Sequence, residues 1–412
     1  MQLLVRPEPY EDESLESYLL RLSSANFLES YPLLSGSIRE WLWENDRDAA
    51  SAFPLALSQI NIYHAKQSSS FRIRAIRLVE SLTGLERLPL LKLAILNSSD
   101  KYGNGLSAVV RNGVFTPRCF LRSDGIPVCP HCLAESSYIR QHWHFLHYSA
   151  CVEHECVLLE RCPACKATLN YLDHEQIGTC TCGFELKSAS VESADCDALT
   201  LSQIVVGHIS NTESALSSEP SLSIRYGALL WYYLRRNKGL ETDKKIEPAG
   251  LKGALEYFSR WPESLKNELQ GCGDTAEQRL IAGFNKTSFQ HVFGNMVLSA
   301  SHFPSEHVSQ NFILDEVLSF LEALVLDNPK TKRANIADVL LSVAEVAVVL
   351  ATSHEQVYRL YQEGFLELSL RLPSKTKLGS HTPAFYLRQV FEFRAAHGQP
   401  SPQAQNAYLS GW

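Results

Sequence analysis

Apolar residues recur at helical spacing along most of the chain. Near residues 12–26, Leu15, Tyr18, Leu19 and Leu22 fall at i, i+3, i+4 and i+7 and predict one buried helix face. Glu13 and Glu16 sit in its first turn, where the helix dipole favours acids. The preceding Arg6-Pro7-Glu8-Pro9-Tyr10 reads as extended, because each Pro biases its predecessor away from helix. Further helices are expected near residues 38–43, 71–82 and 89–97, so residues 1–118 read as a small all-helical, helix-turn-helix-like domain. Arg72, Arg74 and Arg77 on the 71–82 helix read as a solvated face. After a Ser-, Ala- and Glu-rich stretch at 187–222, the helical pattern returns at Tyr226–Arg236, stops at the Pro of Trp261-Pro262, and resumes near 276–284 and 312–325.

Residues 342–366 carry a second helix-turn-helix pattern. Ser342 with Glu345, and Ser353 with Gln356, each match a capping box, so two helices start in close succession around a turn at Ala351-Thr352. Ala347, Leu350, Val357 and Leu360 have the spacing to pack them together, and Gly364 stands where a helix stops. A helix that reads bases uses Arg, Lys, Asn or Gln. Here the second helix carries Glu355, Arg359 and Glu363, which favours a protein-facing role over DNA reading. The following 369–391 stretch holds Arg371, Lys375, Lys377 and Arg388 without an acid and reads as a possible basic wing.

Between these helical blocks the cysteines change the picture. Nine of the 11 lie between Cys129 and Cys196. Cys129-x2-Cys132 and Cys151-x2-His154 form one set of short-spaced pairs, Cys162-x2-Cys165 and Cys180-x-Cys182 another. Tight turns that hold two donors two or three positions apart place both on one tetrahedral ion. Pro130 and Pro163 suit such turns. The expectation is two structural Zn2+ ions per chain in a domain over residues 119–190. Sequential pairing gives one site of three cysteines and a histidine and one site made of cysteines alone; a cross-braced arrangement is the rival. Cys156, Cys196, His131, His142, His144 and His147 are left over for packing or surface, with His131 and Cys156 as substitutes for an assigned ligand. Filled ligand sets leave no position for a catalytic water, so the chain does not read as an enzyme.

The whole is thus expected to be mainly α and multi-domain: helical terminal domains with helix-turn-helix elements (1–118 and 191–412) flanking a two-zinc middle. The net charge is −7, and loading two zinc ions on seven ionised thiols moves it to roughly −10. That excludes a protein that coats nucleic acid through excess positive charge. The candidate local contacts are Lys101, Arg111, Arg118 and Arg122, a run without an acid, together with Arg359, Arg371, Lys375 and Lys377. Gly103-Asn104-Gly105-Leu106-Ser107-Ala108 matches G-x-G-x-x-A only formally, since no βαβ unit surrounds it. No P-loop, H-E-x-x-H or G-x-S-x-G pattern occurs. The acidic start without an apolar run predicts no export signal, and no apolar run is long enough to span a membrane, so a bacterial cytoplasmic location is expected.

Several of these residues resemble the TniQ/TnsD family. Arg6-Pro-x-Pro followed by Glu13-Ser14-Leu15-Glu16-Ser17-Tyr18 and Arg21 is similar to its opening. Trp143 leading to Cys151-Val152-Glu153-His154, Leu158-Leu159 and Cys162-Pro163-Ala164-Cys165 is similar to its cysteine block. The segment from His64 to Ser70, Ser107-Ala108-Val109-Val110-Arg111 and Trp261-Pro262 are similar to TniQ of type I-F CRISPR-associated transposons, whose short length also matches. The resemblance implies target selection in transposition without catalysis. It implies a head-to-tail homodimer that docks on type I-F Cascade with its crRNA and recruits the AAA+ regulator TnsC, touching target DNA mostly indirectly. It carries the zinc ligands onto Cys129, Cys132, Cys151, His154, Cys162, Cys165, Cys180 and Cys182. The C-T-C of Cys180–Cys182 departs from the expected C-x-x-C. The alternative within the family is a sequence-specific DNA-binding targeting protein of the TnsD kind.

Overall fold

The computed structural model describes residues 3–65, 69–84, 89–207, 214–237, 246, 249–279, 283–304, 311–369 and 378–397. The chain is mainly helical, and its described residues divide into two compact units, one up to Ser259 and one from Arg260 onward, with Pro304 grouping with the first. Among the described residues no helix is long and apolar enough to cross a membrane.

In the first unit, α1 (Leu15–Ala25) starts at Ser14, whose side chain accepts from Ser17 N. That cap satisfies one of the helix's orphan donors. Leu15, Tyr18, Leu19 and Leu22 are buried as their spacing requires, each contributing roughly 1.5–3 kcal/mol. Helix α2 (Tyr31–Asn45) packs beside it, and α3 (Arg47–Ala52) and α4 (Ser69–Thr83) pack on α2 and on each other. Arg72 departs from the solvated face expected for α4. It is buried, and its guanidinium donates to the carbonyls of Ala52, Gln59 and Asn61. Three helix ends and turns bring these carbonyls together there, and one planar fork bonds all of them. Arg74 keeps the solvated role, paired with Asp46.

The stretch after α4 is the main correction to an all-helical reading. The expected 89–97 helix shrinks to one turn, α5 (Leu90–Leu93), and gives way to a three-stranded antiparallel sheet. Its strands are β1 (Leu96–Tyr102), β2 (Leu106–Arg111) and β3 (Val114–Pro117). Ala108 faces Pro117 and Arg111 faces Val114 across the β2–β3 turn at Asn112-Gly113, both of which hold positive φ. An Asn-Gly pair is the strongest short hairpin signal, because both central residues need that conformation. The remaining helices of this unit are α6 (Pro130–Glu135), α7 (Tyr171–His174), α8 (Cys196–Val206), α9 (Ala215–Ser218), α10 (Leu222–Arg236) and α11 (Ala249–Ser259), with a short strand pair β4 (Ala150–Cys151) and β5 (Cys156–Val157). Helix α10 packs on β3, and Ser223 Oγ accepts from Phe115 N at 2.9 Å.

The second unit runs α12 (Glu263–Arg279), α13 (Phe289–Phe293), α14 (Met296–Ala300), α15 (Phe312–Asp327), β6 (Leu340–Ser342), α16 (Val343–Val349), α17 (His354–Gln362), β7 (Pro383–Tyr386) and α18 (Leu387–Ala396). Helices α16 and α17 form the expected helix-turn-helix. The Ser342–Glu345 capping box is complete. At Ser353 only half of the expected box forms: its side chain accepts from Gln356 N, with no return bond. Ala351 and Gly364 take the left-handed conformations that turn and stop the pair. Strand β6 pairs antiparallel with β7, closing a sheet beside the two helices.

Candidate metal centres and basic residues

Local sequence builds each centre from two tight turns. Cys129 caps α6 and Pro130 opens it, a position where Pro costs nothing because its missing N–H has no helical partner. Cys132 follows one turn on, beside Cys129. The β4–β5 turn supplies Cys151 and His154, and Glu155 holds a positive φ of 50°. Their donor atoms, three Sγ and one ring nitrogen, lie within 4.8 Å of one another. His154 Nδ1 is 3.7 Å from Cys129 Sγ, 3.3 Å from Cys132 Sγ and 3.5 Å from Cys151 Sγ, and the Cys132 and Cys151 sulfurs are 3.5 Å apart.

At the second centre Cys162 N donates to Ala167 O and Lys166 N to Cys162 O, folding Cys165 back on Cys162. The shorter C-T-C closes because Gly183, at φ 86°, returns its N–H to Cys180 O at 2.8 Å. All four sulfurs lie within 4.8 Å, with Cys162–Cys182 at 3.7 Å and Cys165–Cys180 at 3.6 Å. The grouping is sequential: no donor of one set belongs to the other.

These separations suit a tetrahedral ion. With Zn–S near ~2.3 Å and Zn–N near ~2.0 Å, tetrahedral edges come to roughly 3.8 Å between sulfurs and roughly 3.5 Å from sulfur to nitrogen. The thiols are also crowded in a way a cation relieves. Cys132 is pushed well up by its contacts with Cys129 and Cys151 and by burial, whereas Cys129 is held down because those neighbours donate to its thiolate. A divalent ion lets all of them ionise together. Both donor sets could therefore hold a metal ion, and each supplies four donors from the chain itself.

Two further residues surround the first centre. Glu135 Oε1 accepts from His154 Nε2 at 3.0 Å, a carboxylate that fixes the ring's tautomer with Nδ1 toward the donor set. Its place three residues after Cys132 was its only sequence signal. Cys156 lies with its Sγ 3.7 Å from Cys129 Sγ. Of the other spare histidines of the 142–147 segment, His144 and His147 are buried and His142 is half-buried. His142, His144 and His147 are depressed to about 3, first by burial, and so are neutral packing groups.

Segments of both centres are stitched to α1. Ser14 Oγ and Tyr171 Oη lie 2.8 Å apart, His144 Nε2 lies 3.0 Å from the same Tyr171 Oη, and Ile139 N donates to Ser17 Oγ at 2.9 Å. Glu16 is buried within this region. Its Oε1 accepts from Asn61 Nδ2, and burial pushes its carboxyl up to about 7.

The basic candidates do not form one free strip. Arg111 donates to the carbonyls of Lys92, Glu11 and Glu13, and Arg122 to those of Phe145 and Tyr148 as well as pairing with Glu160. Both guanidiniums are spent on the interior. Arg118 is half-buried with its guanidinium 5.4 Å over Tyr63, while Lys101 on β1 and Arg359 on α17 are exposed. Arg371, Lys375 and Lys377 lie outside the described residues. Arg388, expected in a basic wing, is instead buried in α18 and paired with Asp338 and Asn335.

A mainly helical chain with two closed Cys/His sets between helical segments has the outline of a protein built around metal-binding fingers. Residues 4–158 match the family model described as TniQ. The match takes in α1, the sheet and every donor of the first centre, and it stops before the second. It covers under half of the chain and supports the TniQ family. No curated protein matches.

Proposed function

We propose that this chain is a non-catalytic target-selection adaptor in RNA-guided DNA transposition, acting in the cytoplasm of a bacterium. In this reading it docks on type I-F Cascade with its crRNA, as a head-to-tail homodimer, and recruits TnsC and so the transposase. The observation that carries the reading is the TniQ match over residues 4–158, which includes the complete first donor set. Two features support it. Each centre, loaded with Zn2+, has four protein donors and so serves structure, not hydrolysis. The exposed residues of α17 and its C-terminal turn include Glu355, Arg359 and Glu363, a mixed face better suited to protein than to base edges.

The second reading is a DNA-binding targeting protein of the TnsD kind. The helix-turn-helix of α16 and α17 with its β6–β7 pair favours it, because that is a common frame for duplex recognition. Gel filtration of the full chain with type I-F Cascade, run beside a duplex-shift titration at two salt concentrations, separates the two. The adaptor reading expects co-elution, a free dimer by light scattering and only weak, sequence-blind DNA binding. Failure to co-elute, with sequence-dependent binding tighter than about 10 nM, establishes the second reading instead.

A further inference from the structure

Cys156 is a buried thiol that neither donor set uses, and its position is set by strand register. Residue Cys151 pairs with Cys156 across β4 and β5. Directly opposed residues of an antiparallel pair project from the same face. Cys151 faces the first centre, so Cys156 faces it too. Its sulfur is 3.7 Å from Cys129 Sγ, the same distance as His154 Nδ1 from that sulfur. The two groups differ in exposure. Cys156 is 5% exposed, while the His154 side chain is 19% exposed and held from outside by Glu135, itself 64% exposed, with the His131 ring 5.4 Å away. The donor most open to water thus sits two positions from an enclosed thiol at the same corner of the site.

We propose that Cys156 is a fifth donor of the first centre, one that takes over the ion when His154 leaves it. This rests on reading the cluster as a zinc centre. The exchange breaks the bond from the ion to His154 Nδ1 and forms one to Cys156 Sγ. The Cys156 thiol gives up its proton, the freed imidazole takes one up, and no oxidant or reductant is involved. The centre passes from three thiolates and an imidazole to four thiolates, a donor set zinc accepts equally well. Cys156 Sγ is not among the atoms within 4.8 Å of one another, so the exchange needs a change of its χ1. Staggered wells lie a single bond rotation apart, and the backbone already presents the side chain to the site.

The test uses the full chain loaded with Co2+, whose thiolate charge-transfer absorption grows with the number of bound sulfurs. The unsubstituted chain and Cys156→Ala are both expected to hold two ions. His154→Ala is expected to keep two ions with stronger charge transfer, as Cys156 replaces a nitrogen by a sulfur. His154→Ala with Cys156→Ala is expected to hold one. Two ions in the unsubstituted chain but one in His154→Ala, or two with charge transfer no stronger than before, overturns the proposal alone. Fewer than two in the unsubstituted chain overturns the metal reading and the proposal with it. Should His154→Ala not fold, Cys156→Ala decides the matter by zinc transfer to a chromophoric chelator. Loss of recapture is expected to speed release from the first centre on the order of ten-fold, and an unchanged rate overturns the proposal.

Discussion

The two centres share a construction from short-spaced donors but not a setting. Cys129, Cys132 and Cys151 are at most 1% exposed, and the segment between Cys132 and Cys151 is tied to α1 through the Ile139–Ser17 bond, while Tyr171, between Cys165 and Cys180, bonds Ser14 from the second centre's loop. At the second centre Cys165 and Cys182 are exposed, and Cys162 and Cys180 alone are buried. Equal donor counts therefore do not imply equal structural consequence. A metal that closes a buried turn contributes its binding energy to everything packed on that turn, whereas one at the surface contributes chiefly to its own loop.

The largest expected effect follows directly. Cys132→Ala should lose the first ion and destabilise the first unit by on the order of 4–5 kcal/mol, the range reached when a structural metal is lost. Cys182→Ala should lose the second ion at a cost of about 1 kcal/mol. Thermal melting combined with elemental zinc analysis checks both. Equal losses of stability from the two variants would break the contrast.

Next in size is a pH effect confined to the α1 side. Glu16 is buried, only one of its oxygens is bonded, and its carboxyl is raised from 4.5 to about 7. The native state therefore holds its proton more tightly than the unfolded chain does. Its contribution to stability is present in full below pH 4.5 and is lost as pH rises toward 7. Above that pH an ionised, enclosed carboxylate opposes folding. Glu16→Gln keeps an oxygen for Asn61 Nδ2 and should raise stability at about pH 8 by about 2 kcal/mol, with little change near about pH 4.5. Melting curves of the two chains across this range should converge at the acid end. A constant offset at every pH would assign the effect to packing and not to ionisation.

What could be read in advance follows the same division between local and distant causes. The face of α1 was legible because Leu15, Tyr18, Leu19 and Leu22 announce it within one short window. The donor groups were legible for the same reason, whereas C-T-C read only as a departure from C-x-x-C, and its closure by the Gly183 N–H emerged from the structure. The β2–β3 hairpin carried a signal in Asn112-Gly113, but the first strand of the sheet was not legible. Leu96–Tyr102 reads L-N-S-S-D-K-Y, without the alternation or β-branching of a strand, and it is held by pairing with β2. The inward turn of Arg72, Arg111 and Arg122 was hidden as well, because their acceptors are carbonyls up to 100 residues away in the chain. Charge counts along a sequence cannot tell a guanidinium aimed at solvent from one that satisfies buried acceptors.

A third prediction concerns metal release. A chelator reaches Cys165 and Cys182 directly, whereas the first centre offers it only the imidazole edge of His154. Release of zinc should be biphasic, with the second centre emptying on the order of ten-fold faster. Stopped-flow transfer to a coloured chelator resolves the phases, and Cys182→Ala should remove the fast one. Loss of the slow phase in that variant would reverse the assignment and with it the ranking of the two centres.

The smallest effect isolates what the single histidine adds. Only the first centre has a ring nitrogen whose far side can be held from outside, and Glu135 holds it at 3.0 Å. Partners of this kind orient a ligand and raise its basicity. Glu135 is well exposed, however, so the Coulombic part of its pull is weakened by water and salt. Glu135→Gln preserves an acceptor oxygen and removes only the charge, so zinc affinity at the first centre should fall by about 2–5-fold at low salt and by less at high salt. Affinity at the second centre should not move. Competition titrations at two ionic strengths measure both. A salt-independent loss would mean that orientation, not charge, is what Glu135 supplies. A matching loss at the second centre would mean that the two ions are coupled through the turns between Cys156 and Cys162, and the contrast between an enclosed and an exposed centre would then have to be redrawn as one shared unit.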